Sequence, residues 1–176
     1  MKGVSHAICG LGAVAVAARF TPLAPTLVDT LVLGALGVAG ALLPDVDSDE
    51  ATIRQVTGTA RSQGCAGGAL SALVSWLGGH RGALTHSLLA WVVASALALV
   101  YFHGNMTGVA FSLGYLSHLA ADALTVEGVP LLWPIWRRRI RLLPSWVAIR
   151  TGGWREYLAM VALGVAVVLL YWGRPV

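Results

Sequence analysis

The sequence predicts an all-α, polytopic membrane helix bundle of about five transmembrane helices plus a short re-entrant or interfacial helix. Of its 176 residues, 57% are hydrophobic and only 11% are charged, and the mean hydropathy is +0.74. A soluble domain carries about 25% charged residues, and disordered chains are poor in apolar residues. The composition therefore excludes an ordinary soluble enzyme and favours a single integral membrane domain over residues 1–176.

Five apolar stretches are long enough to cross, or nearly cross, a hydrocarbon core, which needs about 20 helical residues. They are residues 4–20, 27–43, 84–102, 106–124 and 157–172. We interpret the first as a retained span and not a cleaved signal peptide, because nothing resembling a soluble domain follows it. Pro44 ends the second stretch, and Thr85 is a candidate cap for the third. A sixth run, residues 66–77, is too short and too rich in Gly to span and predicts the re-entrant or interfacial helix.

The basic residues orient this bundle. If the N-terminus is cytoplasmic, the inner segments carry Lys2, Arg54, Arg61, Arg81, Arg137, Arg138, Arg139, Arg141, Arg150 and Arg155, and the outer segments carry only Arg19 and Arg174. Ten basic residues against two is a strong positive-inside signal. We therefore expect a multi-pass protein with a cytoplasmic N-terminus.

This topology gathers most of the His and Asp residues at the cytoplasmic ends of the helices. The candidate metal ligands are His6, Asp45, Asp47, His80, His86, His118 and Asp122. Taken singly, the His118/Asp122 pair could be a buried hydrogen bond and the Asp45-x-Asp47 pattern a solvated turn. Their shared depth favours a metal site, since ionisable groups in a membrane are costly unless paired or coordinated. Mixed imidazole and carboxylate ligands suit Zn²⁺, Mn²⁺ or Fe²⁺, with Zn²⁺ or Mn²⁺ preferred here, as one or two ions.

Residues 130–155 form a segment rich in Trp and Arg. Trp133 and Trp136 lead directly into four closely spaced arginines, Arg137, Arg138, Arg139 and Arg141. Such interleaving is typical of a strip in the lipid headgroup layer. Because guanidinium groups bind phosphate bidentately, the same arginines and Arg81 are candidate phosphate-binding residues. The expected partners are membrane lipids and not nucleic acid, because the Trp and Leu neighbours prefer lipid.

With these residues in place, the chain resembles the YdjM-type membrane-bound metal-dependent hydrolases of bacteria. The matching blocks are His6, the Leu-Leu-Pro-Asp-Val-Asp run at 42–47, the His-Arg-Gly-x-x-Thr-His-Ser run at 80–87, the Ser-His-Leu-x-x-Asp run at 117–122, and residues 128–134. The resemblance implies a bacterial inner-membrane protein, classed as a metal-dependent hydrolase, whose metal set is made of these His and Asp residues.

We therefore predict hydrolysis of a phosphoester in a phospholipid or lipid-linked substrate at the cytoplasmic face. The candidate catalytic residues are Asp47 as general base or bridging carboxylate, Arg81 as oxyanion clamp, and Glu156 as a residue that orients an imidazole. One alternative is a non-enzymatic protein whose metal or ion-pair cluster only ties helix ends together. Another is an ion transporter, which is disfavoured because only Asp29 and His103 lie toward the outer face.

Overall fold

The structure, a computed structural model, describes residues 1–21, 26–47 and 84–171. These contain five α-helices and no strand: α1 (Gly3–Arg19), α2 (Leu27–Leu42), α3 (Leu88–Tyr101), α4 (Met106–Ala123) and α5 (Trp154–Tyr171). A short 3-10 helix, Leu43–Asp47, continues α2. The all-helical class predicted from the sequence is confirmed, whereas the predicted helix at 66–77 lies outside the described residues.

Local hydrogen bonds decide where two of these helices begin. At α2, the Thr26 hydroxyl accepts from the Asp29 amide at 3.2 Å, and Asp29 accepts from the Thr26 amide at 3.0 Å, which forms a capping box. At α3, the Ser87 hydroxyl accepts from the Ala90 amide at 3.1 Å. The prediction that α3 starts at residue 84 and is capped by Thr85 was therefore wrong, because Ser87 caps it and 84–86 form a turn.

Glycine lets the central helix α2 approach both α1 and α4 very closely. A Cβ atom placed on Gly114 of α4 would collide with the carbonyl oxygen of Gly37, and one on Gly10 of α1 would lie 2.5 Å from that same atom. Small residues at helix crossings allow this backbone approach. The three helices consequently form a tightly packed unit, against which α3 adds on α4 and α5 adds on α1.

The described helices differ in whether they are long and apolar enough to cross a membrane. Among the residues described, the helical stretch Leu27–Asp45 is long and apolar enough to cross a bilayer, while α1 and α3 are apolar but shorter. One span is thus supported by length and composition, and the full set of five is not confirmed.

The segment between α4 and α5 folds back over the end of α4. The Val129 and Ile140 backbones exchange hydrogen bonds of 3.0 and 2.8 Å, and the Ile149 amide donates to the Leu124 carbonyl at 3.0 Å. The Leu88 amide, at the start of α3, donates to the Leu131 carbonyl at 2.9 Å. This segment therefore covers the end of the bundle at which α3 begins and α4 ends.

Candidate metal centre

Five His and Asp side chains from four parts of the chain meet at one end of the bundle. They are His6 in the first turns of α1, Asp45 in the 3-10 helix after α2, His86 in the turn before α3, and His118 and Asp122 near the end of α4. Consecutive helices run in opposite directions, so the starts of α1 and α3 and the ends of α2 and α4 lie together. These five are members of the predicted ligand set.

Four donor atoms in this cluster are spaced like the ligands of a single metal ion. The Nε2 atoms of His86 and His118 are 3.2 Å apart. Asp45 Oδ1 lies 3.3 Å from the His86 nitrogen and 3.8 Å from the His118 nitrogen. Asp122 Oδ2 lies 3.7 and 3.4 Å from the same two atoms. Bonds of about 2.1 Å place the ligands of a tetrahedral ion about 3.4 Å apart, so the spacing fits.

His6 faces the second oxygen atom of each carboxylate. Its Nε2 atom lies 3.3 Å from Asp122 Oδ1 and 3.9 Å from Asp45 Oδ2, and its ring stacks on that of His118 at 3.7 Å between centroids. The side chain is fully buried, and neither ring nitrogen has a hydrogen-bond partner among the described residues. Buried polar atoms are nearly always partnered, so an orphaned imidazole nitrogen at this place fits a metal ligand.

Backbone and neighbouring groups orient the other two imidazoles. His118 Nδ1 lies 2.7 Å from the carbonyl oxygen of Ala41, and because a carbonyl only accepts, this nitrogen is the donor. In a neutral ring, His118 Nε2 then carries a lone pair directed at the cluster. His86 Nδ1 lies 3.0 Å from the Thr85 hydroxyl, which leaves its Nε2 facing the same centre. Outer partners of this kind are typical of metal-binding histidines.

The charges of the cluster also suit a cation. Two carboxylates and the lone pair of His118 converge within 4 Å, and converging acceptors repel one another unless positive charge lies between them. In the described part of the chain, the neighbouring positive group is the Met1 amine, 2.8 Å from Asp122 Oδ1. The residues present therefore fit a divalent ion in donor type, spacing and charge.

Three other predicted site residues cannot be placed in this cluster. Asp47 lies at the end of the 3-10 helix, two residues after Asp45, but its side chain lies outside the described structure. His80 and Arg81 also lie outside the described residues. Their predicted roles as ligand, general base and oxyanion clamp remain predictions.

Glu156 contacts the start of α1. Its Oε1 atom accepts from the Lys2 amide at 2.8 Å and from the Ser5 hydroxyl at 2.5 Å, while Oε2 accepts from the Gly152 amide at 2.6 Å. Burial disfavours the carboxylate, but these hydrogen bonds outweigh it and hold the pKa of Glu156 below its ordinary value. No imidazole is among its described partners, so direct orientation of a ring, the predicted role, is replaced by anchoring of the helix that carries His6.

The arginines at 137–141 lie in the exposed part of the segment that covers this end of the bundle. Arg141 Nη1 donates to the Val126 carbonyl at 3.4 Å. Ile135 and Trp146 project outward, with 96% and 77% of their surfaces exposed. Within the described residues no ion pair joins these arginines to the His/Asp cluster, so their phosphate-binding role remains a prediction.

Sequence reasoning missed the groups that hold the site in place. The Ala41 carbonyl is a backbone atom at an apolar position, so its role has no signature in the sequence. Ser5 donates to Glu156 from 151 positions away in the chain, and Gly152 donates to it from four positions away. Gly152 has φ +76°, a conformation that favours glycine. A glycine in a polar turn just before α5 was therefore the one feature of the sequence that could have indicated this contact.

Comparison with known proteins identifies relatives along the whole chain. The family model described as YdjM inner membrane protein matches residues 1–175. A protein of Bacillus subtilis strain 168, named uncharacterized protein YvsG, is 31% identical over 166 residues, which cover 94% of this chain and 91% of that protein.

Two further similarities are shorter. The inner membrane protein YdjM of Escherichia coli strain K12 is 48% identical over 75 residues, which cover 37% of this chain and 36% of that protein. A Methanothermobacter thermautotrophicus protein, named uncharacterized protein ORF4, is 33% identical over 72 residues and is covered over 29% of its length. No solved structure matches the chain significantly.

Proposed function

This chain belongs to the YdjM inner membrane protein family, and from that premise we propose that it is a membrane-bound, metal-dependent hydrolase. The proposed reaction is cleavage of a phosphoester bond in a phospholipid or lipid-linked substrate at the cytoplasmic face. The observation that carries the proposal is the set of distances of 3.2–3.8 Å among donor atoms of His86, His118, Asp45 and Asp122. A buried hydrogen bond between two side chains would account for one His and one Asp. This arrangement instead brings donor atoms of two His and two Asp residues to one point and adds His6 beside them.

The membrane arrangement is part of the proposal. We take the apolar stretches of the five described helices as spans of one integral domain, with Glu156 just before the last stretch and with tilt or local thinning accommodating the shorter ones. Aliphatic side chains cover the outward faces, including Leu31, Val93, Leu97, Val165 and Leu169, each at least half exposed. Such faces suit lipid contact. The positive-inside rule then places the cluster and the 130–155 segment on the cytoplasmic side.

The donor types favour Zn²⁺ or Mn²⁺ as the bound ion. Held by the His and Asp residues of the cluster, such an ion would polarise a phosphoryl oxygen and lower the pKa of a nearby water toward neutrality. In this scheme Asp47 is the general base that accepts a proton from the attacking water, and Arg81 stabilises the charge that develops on the phosphoryl oxygens. Glu156 keeps the α1 terminus, and with it His6, in position.

A lipid substrate is favoured by the position of the site. The cluster lies at helix ends, and the covering segment presents Arg137, Arg138, Arg139 and Arg141 together with outward Trp136 and Trp146. Trp and Arg side chains prefer the headgroup layer, which is the depth at which lipid phosphates lie. The arginines would then hold the phosphate of the substrate or of a neighbouring lipid.

Elemental analysis of the purified protein in detergent tests the metal site. We expect one or two equivalents of a transition metal in the wild type and loss of this metal in His118→Ala/Asp122→Ala. The matched control is His103→Ala/Asp29→Ala, which changes the same residue types at the opposite end of the bundle and should retain the metal. Absence of metal in the wild type, even after reconstitution with Zn²⁺ or Mn²⁺, would overturn the proposal.

Hydrolysis is tested separately with phospholipids and soluble phosphodiesters in mixed micelles. Asp45→Ala and His86→Ala should abolish metal binding and turnover together while the protein still inserts. Turnover that survives both substitutions would contradict the assignment of the cluster as the catalytic centre.

A structural cluster is the second candidate, favoured by the fact that its five residues tie the ends of α1, α2, α3 and α4 together. This alternative predicts that the same substitutions lower thermal stability in detergent and that no substrate is cleaved by the wild type. The comparison of metal content, stability and turnover in one set of variants distinguishes the two.

A further inference from the structure

We propose that the crevice between α1, α4 and α5 binds one acyl chain of a membrane lipid whose phosphate headgroup lies at the His/Asp cluster. This inference rests on the proposed function for the hydrolysis of the headgroup phosphoester, but binding of the acyl chain can be measured without any turnover. It assigns an acyl-chain-binding site to these helices. The proposed substrate is then a lipid that is bound through its acyl chain as well as through its phosphate.

The crevice is almost completely apolar. It is an open groove with a volume of about 490 Å³, lined by small or aliphatic side chains and sulfur atoms, among them Cys9, Ala13, Leu113, Ala120 and Met160. Among the described residues of its wall the single hydroxyl is that of Ser117, which donates to the Gly114 carbonyl at 2.7 Å. This hydroxyl therefore offers no unsatisfied donor to a ligand. A wall of this kind selects hydrocarbon and not a polar ligand.

Helix packing explains why the crevice exists. In the described part of the chain α5 packs mainly on α1, and contacts between α5 and α4 are few. Gly12 allows Leu163 of α5 to approach α1, where an added Cβ would lie 3.0 Å from that side chain. The crevice therefore lies between α4 and α5, with α1 at its base. The small side chains of Ala13 and Ala120 leave space within it.

The crevice leads to the metal centre. Ala121 and Leu124, on either side of Asp122 in the chain, line its inner end. Met1 lines the same end, and its amine donates to Asp122 Oδ1 at 2.8 Å. A chain lying in the crevice thus places whatever is attached to its inner end beside the cluster.

The dimensions favour one acyl chain over a helix of another protein. The wall on α4 runs from Leu113 to Leu124, about 16 Å at 1.5 Å per residue. One leaflet of a core about 30 Å thick is about 15 Å deep, so the lengths agree. A helix about 10 Å across and 16 Å long occupies about 1,250 Å³, more than twice the volume of the crevice, so a helix could rest on the crevice but could not enter it. A hydrocarbon chain about 5 Å across and 16 Å long occupies about 300 Å³, which is less than the volume of the crevice.

Photocrosslinking of the full chain in vesicles tests this assignment. The probe is phosphatidylglycerol with a diazirine in one acyl chain, and crosslinked peptides are identified by mass spectrometry. We expect crosslinks concentrated on crevice residues such as Cys9 and Met160. Ala13→Leu and Ala120→Leu, tested separately, should each reduce these crosslinks, by about fourfold for each methylene of the chain that is excluded. Ala162→Leu, on α5 outside the crevice, is the matched control and should leave them unchanged.

Two readouts separate failure of this inference from failure of the proposed function. Metal content and cleavage of a soluble phosphodiester should be the same in the wild type and in all three variants, since none of them touches the cluster. Crosslinks confined to the crevice support the inference even if no substrate is cleaved. Crosslinks that are equal in all variants, or spread evenly over the outward faces of α2 and α3, would overturn it whatever the metal content.

Discussion

The Nδ1 atom of His118 donates a hydrogen bond of 2.7 Å to the backbone carbonyl of Ala41. This bond joins α4 to the end of α2, fixes the ring orientation, and leaves Nε2 directed toward the carboxylates of the cluster. Because Ala41 is fully buried and lies four residues before Asp45, the same contact sets the position of the 3-10 helix that carries the Asp45 carboxylate.

Replacement of Asp122 by Asn should weaken metal binding by more than about 100-fold, because loss of an outer partner alone typically costs 10–100-fold in affinity. The side chain keeps its size and loses the charge that faces three imidazoles. Competition with a fluorescent Zn²⁺ chelator measures the affinity. Asp29→Asn, at the opposite end of α2, should bind metal like the wild type, and equal affinity in both variants would contradict the ligand assignment.

Removal of the metal should lower the thermal unfolding temperature in detergent. Ligand that binds only the folded state stabilises it by about 2.7 kcal/mol at a concentration 100 times the Kd. We therefore expect EDTA to lower the transition of the wild type and Zn²⁺ or Mn²⁺ to restore it. His118→Ala/Asp122→Ala should respond to neither treatment, and a response equal to that of the wild type would place the bound metal elsewhere.

Gly114→Ala should destabilise the protein by about 1–3 kcal/mol, the typical cost of overpacking. The added methyl group would meet the Gly37 carbonyl and push α4 away from α2, which also moves His118 from Ala41. The matched control is Gly164→Ala on α5, where an added Cβ meets nothing within 4 Å. Thermal unfolding should separate the two variants clearly, and equal transitions would show that the close helix approach contributes nothing to stability.

Glu156→Gln should be less stable than the wild type at neutral pH by about 1.5–3 kcal/mol, the typical worth of a hydrogen bond to a charged group. Glu156 precedes the apolar stretch 157–172, and its pKa in the folded protein lies below the ordinary value of 4.5. A lowered pKa stabilises the fold above pH 4.5, and this contribution disappears as the pH falls through the pKa of the folded state.

The stability difference between wild type and Glu156→Gln, measured by thermal unfolding from pH 7 downward, should therefore be constant above about pH 5.5 and shrink below pH 4.5. The difference isolates Glu156 from the other acids, which titrate equally in both proteins. A difference that stays constant throughout acidification would show that the charge of Glu156 does not stabilise the attachment of α1.

The helices and their order could be predicted from the sequence because apolar runs are local. Residues 27–43 and 106–124 were predicted to within a few residues of α2 and α4, and the start of α3 was missed by four because Ser87, not Thr85, supplies the cap. The convergence of His6, Asp45, His86, His118 and Asp122 was also predicted, since consecutive helices that run in opposite directions bring the starts of α1 and α3 to the ends of α2 and α4.

Topology and composition by themselves determined that these five side chains share one end of an all-helical bundle and that His118 and Asp122 share one helix face. Only the tertiary structure decided that their donor atoms lie 3–4 Å apart, that Ala41 orients His118, and that Glu156 anchors α1 without contacting any imidazole of the described residues. The physical reason is that helix periodicity fixes which residues share a face, whereas the rotation and separation of helices depend on contacts such as Gly37 with Gly114, between positions 77 residues apart in the chain.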